Sequence, residues 1–150
     1  MKIKFAIIGF GHIGRKHYNT LLGNAEAEVV AICDPYLEEE SIDGIPVFKD
    51  IEQMLISIPE IDVVNICTPN GLHAEQSIIC INDGKHVVVE KPMSLTKKDA
   101  ENVIFHALNK HVKIFCVMQN RYTANAQFLK HLIVNNQLGN VKKGVVNLFW

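Results

Sequence analysis

The stretch IIGFGHIGRKH, Ile7–His17, gathers three of the chain's nine glycines, Gly9, Gly11 and Gly14, where an apolar run turns polar. The spacing G-x-G-x-x-G is a weak signal alone. Its context here strengthens it: Ile3–Gly9 (IKFAIIG) reads as a buried strand, and His12–Leu22 reads as a helix ending near Gly23. A glycine turn between strand and helix suits a bound pyrophosphate. Gly9 allows the tight turn, Gly11 lets the phosphates approach bare backbone, and Gly14 lets the helix pack close to the strand. The phosphates would sit at the helix N-terminus, where unpaired N–H groups and the dipole favour an anion. Phe10, His12 and Ile13 fill the turn and join the candidate cofactor residues.

Asp34 supplies the second test. It follows the β-branched run Glu28–Cys33 (EVVAIC) and lies 20 residues beyond Gly14. A carboxylate there accepts hydrogen bonds from the ribose hydroxyls of NAD and repels the 2′-phosphate of NADP, so NAD is the expected cofactor. Arg15 reads either as a phosphate contact or as a solvated helix residue. His12 and His17 are five apart, the wrong spacing for two ligands on one helical face. His12 is read as a loop residue near the cofactor, His17 as a packing or surface residue.

The pattern continues to alternate. A helix is expected over Asp50–Ser57, a strand over Asp62–Cys67, and a helix over His73–Asn82 stopped by Gly84. A strand follows at His86–Val89. The helix Thr96–Asn109 takes Thr96 as N-cap and Val103, Ile104, Ala107 and Leu108 as part of its apolar face. Then come a strand at Lys113–Val117, a helix at Ala124–Asn135 with the stripe Phe128, Leu129, Leu132 and Ile133, and a strand opening at Gly144–Trp150. The strands lack polar alternation, as expected when helices cover both faces of a sheet. The fold class is therefore α/β: a doubly wound, mostly parallel sheet of Rossmann type, one domain spanning residues 1–140.

Composition narrows the function. The chain has 150 residues, 48% hydrophobic and 21% charged, with net charge −1. That is the make-up of a soluble globular domain. No basic excess points to nucleic acid, and no apolar stretch nears the roughly 20 residues of a membrane span. The four cysteines, Cys33, Cys67, Cys80 and Cys116, are widely spaced without a C-x-x-C pair. They read as reduced thiols in a cytoplasmic protein, and no metal site is expected.

Three later stretches follow strands: CTPNGLH (Cys67–His73), VVVEKP (Val87–Pro92) and VMQNRY (Val117–Tyr122). All fall at carboxyl ends, the edge where open α/β sheets bind ligands. On spacing alone Lys91 reads as a solvated loop lysine. Placed beside a reacting hydroxyl, however, an ammonium can hydrogen-bond a developing alkoxide and take part in proton transfer.

With GFGHIGRKH, TPN..H and EKP in this order, the whole chain resembles the Gfo/Idh/MocA oxidoreductases. Within that family it is most similar to dehydrogenases that oxidise the 3-hydroxyl of a UDP-linked N-acetylglucosaminuronic acid. The resemblance implies several roles. Lys91 matches the family's active-site lysine, near nicotinamide and substrate hydroxyl; Glu90 pairs with or orients it, and Pro92 fixes the chain direction. Thr68, Pro69 and Asn70 match a loop beside the adenosine and the nicotinamide ribose, with His73 near the cofactor. Asn70 can also cap the helix that follows. Gln119, Asn120 and Arg121 match the substrate side, Arg121 either gripping an anionic or polyhydroxylated group or anchoring the next helix.

The family also has a second α/β domain that carries further catalytic groups. GVVNLFW would begin its first strand, so residues 141–150 are expected to be the start of that substrate and oligomerisation domain. The isolated chain should then bind NAD with little or no turnover, and the full-length protein should be a homo-oligomer acting on a sugar or nucleotide sugar. Two other readings stay open: a non-catalytic NAD-sensing module, and a cyclitol, dihydrodiol or bilin reductase of the same family. Lys91 favours an enzyme, since a sensor needs no lysine at the nicotinamide end.

Overall fold

The computed structural model describes residues 1–147. They fall into two compact units, Met1–Val117 and the described residues from Met118 onward. The first unit holds a seven-stranded sheet. In chain order it comprises β1 (Ile3–Ile8), α1 (His12–Leu22), β2 (Ala27–Cys33), β3 (Ser41–Ile42), β4 (Ile45–Phe48), α2 (Ile51–Ser57), β5 (Val63–Ile66), α3 (His73–Asn82), β6 (His86–Val89), α4 (Lys97–Asn109) and β7 (Ile114–Cys116). The strand order is β3-β4-β2-β1-β5-β6-β7. Every pairing is parallel except β3 with β4.

The side-chain alternation of β1 divides the core. Ile7 faces α1, packing with Tyr18, Phe10, Val29 and Ile32. Ala6 and Ile8 face the opposite way, into a larger cluster with Met54 of α2, Cys80 and Ile81 of α3, and Val103 and Ala107 of α4. Helices therefore cover both faces, and the order reverses at β1, where the chain winds outward in both directions. That is the doubly wound Rossmann-type fold expected from the sequence.

Sequence and structure differ in several places. The β3–β4 hairpin was not anticipated. Its turn is Asp43-Gly44, with φ of 52° and 82°, the left-handed pair that a two-residue hairpin requires. Asp50 lies outside α2 as its N-cap, Oδ1 accepting from Gln53 N at 2.8 Å. In α4 the buried stripe narrows to Val103 and Ala107, four residues apart, leaving Ile104 and Leu108 at 44% and 69% exposure. Thr96 does cap this helix, accepting from Asp99 N.

The second unit contains the turn Gln119–Tyr122 and α5 (Ala124–Val134), capped by Thr123. No residue of α5 is buried, and Phe128, Leu129 and Ile133 of its apolar stripe are exposed within the described residues. The strand expected at Gly144–Trp150 does not form over residues 144–147, which pair with no strand among the described residues. Leu148, Phe149 and Trp150 lie outside the described residues.

Candidate functional site

Register assembles one edge of the first unit. The last residues of five strands are direct neighbours: Ile8 pairs with Cys33 and Ile66, Ile66 with Val89, and Val89 with Cys116. The glycine turn, Asp34, the Thr68–Asn70 loop and Glu90-Lys91-Pro92 leave this common line of carboxyl ends.

The glycine turn is built by exclusion. Gly9 has φ of 83°, and a Cβ there would lie 2.9 Å from backbone atoms of Cys67 and Thr68. A Cβ on Gly14 would strike the carbonyl oxygen of Gly9. Gly11 is the opposite case: nothing lies within 4 Å of where its Cβ would be. Helix α1 starts there with Gly11 as N-cap, no side-chain cap and no acidic residue in its first turn. Its first N–H groups thus point outward beside open space, and the glycine cradle fits a diphosphate.

Asp34 braces this cradle. Oδ2 accepts from Phe10 N at 2.7 Å and Oδ1 from Tyr36 N at 2.9 Å. Each carboxylate oxygen keeps a second lone pair for a ribose hydroxyl. The Phe10 ring is buried, edge-on to Tyr18 at 5.5 Å, and the Arg15 guanidinium lies 4.7 Å above it. Phe10 therefore serves the turn through its backbone and packs its ring inward. His12 and Ile13 are exposed on the first turn of α1.

The loop after β5 is held from beneath. Thr68 Oγ1 donates to Gln76 Oε1 at 2.6 Å. Pro69 and Asn70 are exposed, and Asn70-Gly71-Leu72 forms a single 3-10 turn closed by Leu72 N to Pro69 O. This turn takes the place of an Asn70 cap: the side chain caps neither the turn nor α3. His73 is buried, with Nδ1 2.7 Å from Pro92 O and Nε2 2.7 Å from Thr68 O. Carbonyls only accept, so a neutral imidazole donates to one of the two and lies in contact with the other. His73 therefore sits between the Thr68 loop and the Lys91–Pro92 loop, with both ring nitrogens directed at their carbonyls.

The Lys91–Pro92 peptide is cis, and the Lys91 side chain is exposed. Its neighbour Glu90 is nearly enclosed, at 14% side-chain exposure. Oε1 meets His17 Nε2 at 3.1 Å, and Oε2 accepts from Lys91 N at 3.1 Å. On the far side of the imidazole, Nδ1 lies 3.1 Å from Asn65 Nδ2. Burial, with the Glu90 charge adding to it, pushes the Cys67 thiol up to about 12. The same two causes raise the thiol of Cys116. Both stay protonated and are poor nucleophiles.

Sequence reasoning missed His17, Asn65 and Gln76 as parts of this edge. Asn65 carried a usable signal: one amide inside the apolar strand DVVNIC needs a partner when both faces are covered. In the second unit, Gln119, Asn120 and Arg121 are exposed on their turn, with Arg121 N bonded to Met118 O at 3.0 Å.

Comparison with known proteins agrees with this geometry. A family model described as "Oxidoreductase family, NAD-binding Rossmann fold" matches residues 3–118. A D-glucoside 3-dehydrogenase of Escherichia coli is 28% identical over 145 residues, 93% of this chain and 41% of its own length. An NADP(+)-dependent scyllo-inositol 2-dehydrogenase of Bacillus subtilis is 32% identical over 142 residues, 93% of this chain and 39% of its own length. The crystal structure of the WlbA dehydrogenase from Chromobacterium violaceum in complex with NADH and UDP-GlcNAcA superimposes with a TM-score of 0.86 at 33% identity. That match covers 92% of this chain and 41% of the other. The chain thus spans about two fifths of the length of these relatives. Its match runs through the glycine turn, Asp34 and the Lys91 loop alike, and the chain belongs to the Gfo/Idh/MocA oxidoreductase family through its NAD-binding Rossmann domain.

Proposed function

We propose that this chain is the cofactor-binding half of an NAD-dependent dehydrogenase acting on a sugar-type hydroxyl, with a UDP-linked sugar acid as substrate. One observation carries the reading: the register that brings the glycine turn, Asp34 and the Lys91 loop to a single edge. The diphosphate rests on the N–H groups at Gly11 and the first turn of α1. Asp34 accepts from the adenosine ribose, and its charge disfavours a 2′-phosphate. Thr68, Pro69 and Asn70 flank the nicotinamide ribose, and Glu90 sets the loop that carries Lys91. When bound, the nicotinamide supplies a hydride acceptor or donor. Lys91 hydrogen-bonds the substrate oxygen and moves its proton as the carbon is oxidised or reduced.

The nucleotide-sugar assignment is supported by the WlbA structure, whose bound ligands are NADH and UDP-GlcNAcA. Gln119, Asn120 and Arg121 are its substrate-side contacts, the Arg121 fork suiting a carboxylate or phosphate. Remaining groups come from the rest of a longer protein, a homo-oligomer whose second domain starts near residue 141. The chain alone binds cofactor without turnover. Four free cysteines accord with a reducing cytoplasm, and among the described residues no helix is long and apolar enough to cross a membrane.

Calorimetric titration of the chain with NADH and NADPH tests the cofactor reading. NADH is expected to bind at least about tenfold more tightly, the equivalent of one repelled charge. Equal affinity overturns the NAD preference, and no heat with either overturns dinucleotide binding. For the reaction, the full-length protein should reduce NAD in the presence of the UDP-sugar acid. Lys91→Met should lower that rate by about 10²-fold or more.

A further inference from the structure

We propose that His17, on the helix that seats the diphosphate, is a positioning residue for Lys91, acting through Glu90. The proposal rests on the cofactor and Lys91 roles given above. His17 projects from α1 six residues after Gly11, about 9 Å further along the helix axis. Its ring is largely enclosed, at 16% exposure, between Asn65 on β5 and Glu90 at the end of β6.

The bonding defines which proton is where. The Asn65 amide nitrogen only donates, so His17 Nδ1 presents a lone pair to it and Nε2 bears the hydrogen facing Glu90 Oε1. Asn65 Oδ1 is buried and has no hydrogen-bond partner among the described residues. Turning the amide over would give that oxygen a partner in an Nδ1 proton. Nε2 then still donates to Glu90 when the ring carries both protons, as an imidazolium beside the carboxylate.

Glu90 is thereby held at both oxygens. Oε1 is tied to α1 through His17, and Oε2 to the amide of Lys91. Its other neighbours, the thiols of Cys67 and Cys116, stay protonated and bring no positive charge. Among the described residues His17 is the one side chain paired with this carboxylate as an ion-pair or hydrogen-bond partner. Without it, a nearly enclosed carboxylate would keep a single backbone bond and turn toward solvent, releasing the Lys91 amide. One rigid helix thus fixes both the seat of the phosphates, at its N-terminus, and the height of Lys91. The distance between them is set by α1 rather than by the loops.

Three forms of the protein test this: wild type, His17→Ala and His17→Gln. The Gln side chain keeps an N–H donor at about the reach of Nε2. The first readout needs no cofactor and uses the full chain: hydrogen exchange of the Lys91 amide by NMR. His17→Ala should speed it about tenfold or more while the Val88 and Val89 amides of β6 exchange as before, and His17→Gln should restore it. The second readout is steady-state kinetics in the full-length protein. His17→Ala should lower kcat by about 10- to 100-fold with KM for NAD and NADH affinity within about threefold, and His17→Gln should recover most of the loss.

An unchanged Lys91 amide in His17→Ala overturns the proposal, as does equal damage from both substitutions, or loss of β6 protection together with Lys91. These results are separable from a failure of the cofactor reading. If wild type binds no NADH, or Lys91→Met keeps turnover, that reading fails, while Lys91 exchange still decides what His17 holds.

Discussion

The two ends of the site are made of different material. At the proposed diphosphate end the groups on offer are backbone N–H groups around Gly11, with open space where a side chain would stand. At the lysine end they are side chains: Lys91 is exposed, and beneath its loop lie His73, Glu90, His17 and Asn65, all wholly or largely buried and bonded. The first end is specified by what is missing, the second by partners brought from four separate elements. An anion shared among several dipoles tolerates diffuse recognition, whereas a proton-transferring group must stand at one place. The difference predicts that the ends break in different ways.

The largest effect belongs to the wall behind the diphosphate. Gly14→Ala would drive its Cβ into the Gly9 carbonyl, which belongs to rigid backbone on both sides. Gly9→Ala adds a Cβ against Cys67 and Thr68 at a φ of 83° that alanine resists. Either should destabilise the chain by about 3 kcal/mol or more in urea unfolding. Loss below about 1 kcal/mol would mean that the turn is softer than drawn, and the contrast with the lysine end would fade.

His73 is the matching test at the other end. His73→Leu nearly keeps the volume but leaves Thr68 O and Pro92 O without their shared imidazole partner. The expected loss is about 2–3 kcal/mol, read in the same urea experiment. Because the two carbonyls belong to the two loops proposed to flank the nicotinamide, NADH affinity should fall as well, and by more than stability alone accounts for. A variant as stable as wild type would show that the loops hold themselves.

Legibility in the sequence followed the same division. The glycine turn, Asp34 and the strand-helix alternation were readable because local chemistry decides them: spacing, an apolar run, a capping Thr96. The Asp43-Gly44 hairpin was equally readable, two residues that tolerate a left-handed turn between Ile42 and Ile45, and was passed over. His17 could not be read this way. Its partners Asn65 and Glu90 lie 48 and 73 residues away, and the sheet order alone brings them together. Gln76 and the inward ring of His73 were hidden for the same reason, since only tertiary packing says which way a helix residue faces. Ile104, Leu108 and the stripe of α5 show the converse error: apolar spacing identifies a face but not whether this chain covers it.

Asp34 joins the two logics, since a side chain here braces a backbone site. Asp34→Ala removes the acceptors of Phe10 N and Tyr36 N and the expected ribose bonds together. NADH affinity should fall about 30-fold by calorimetry, about 2 kcal/mol, and NADPH should fall less because a repelling charge has also gone. If both cofactors weaken alike, Asp34 acts through the turn alone and does not select between them.

Gly11 gives the smallest effect and the sharpest comparison. Its φ of −73° and ψ of −156° lie in extended space open to any residue, and its Cβ would meet nothing within 4 Å. Gly11→Ala should therefore shift folding stability by no more than about 0.5 kcal/mol, since neither strain nor packing changes. The added methyl would stand where the diphosphate is proposed to meet the backbone, and NADH affinity should drop about tenfold. Stability and affinity thus separate at Gly11 and move together at Gly14, though the two residues share one turn. A Gly11→Ala chain that binds NADH as well as wild type would place the diphosphate elsewhere on the edge. The open space at Gly11 would then be only surface, and the distinction between an end built from absence and an end built from side chains would lose its first half.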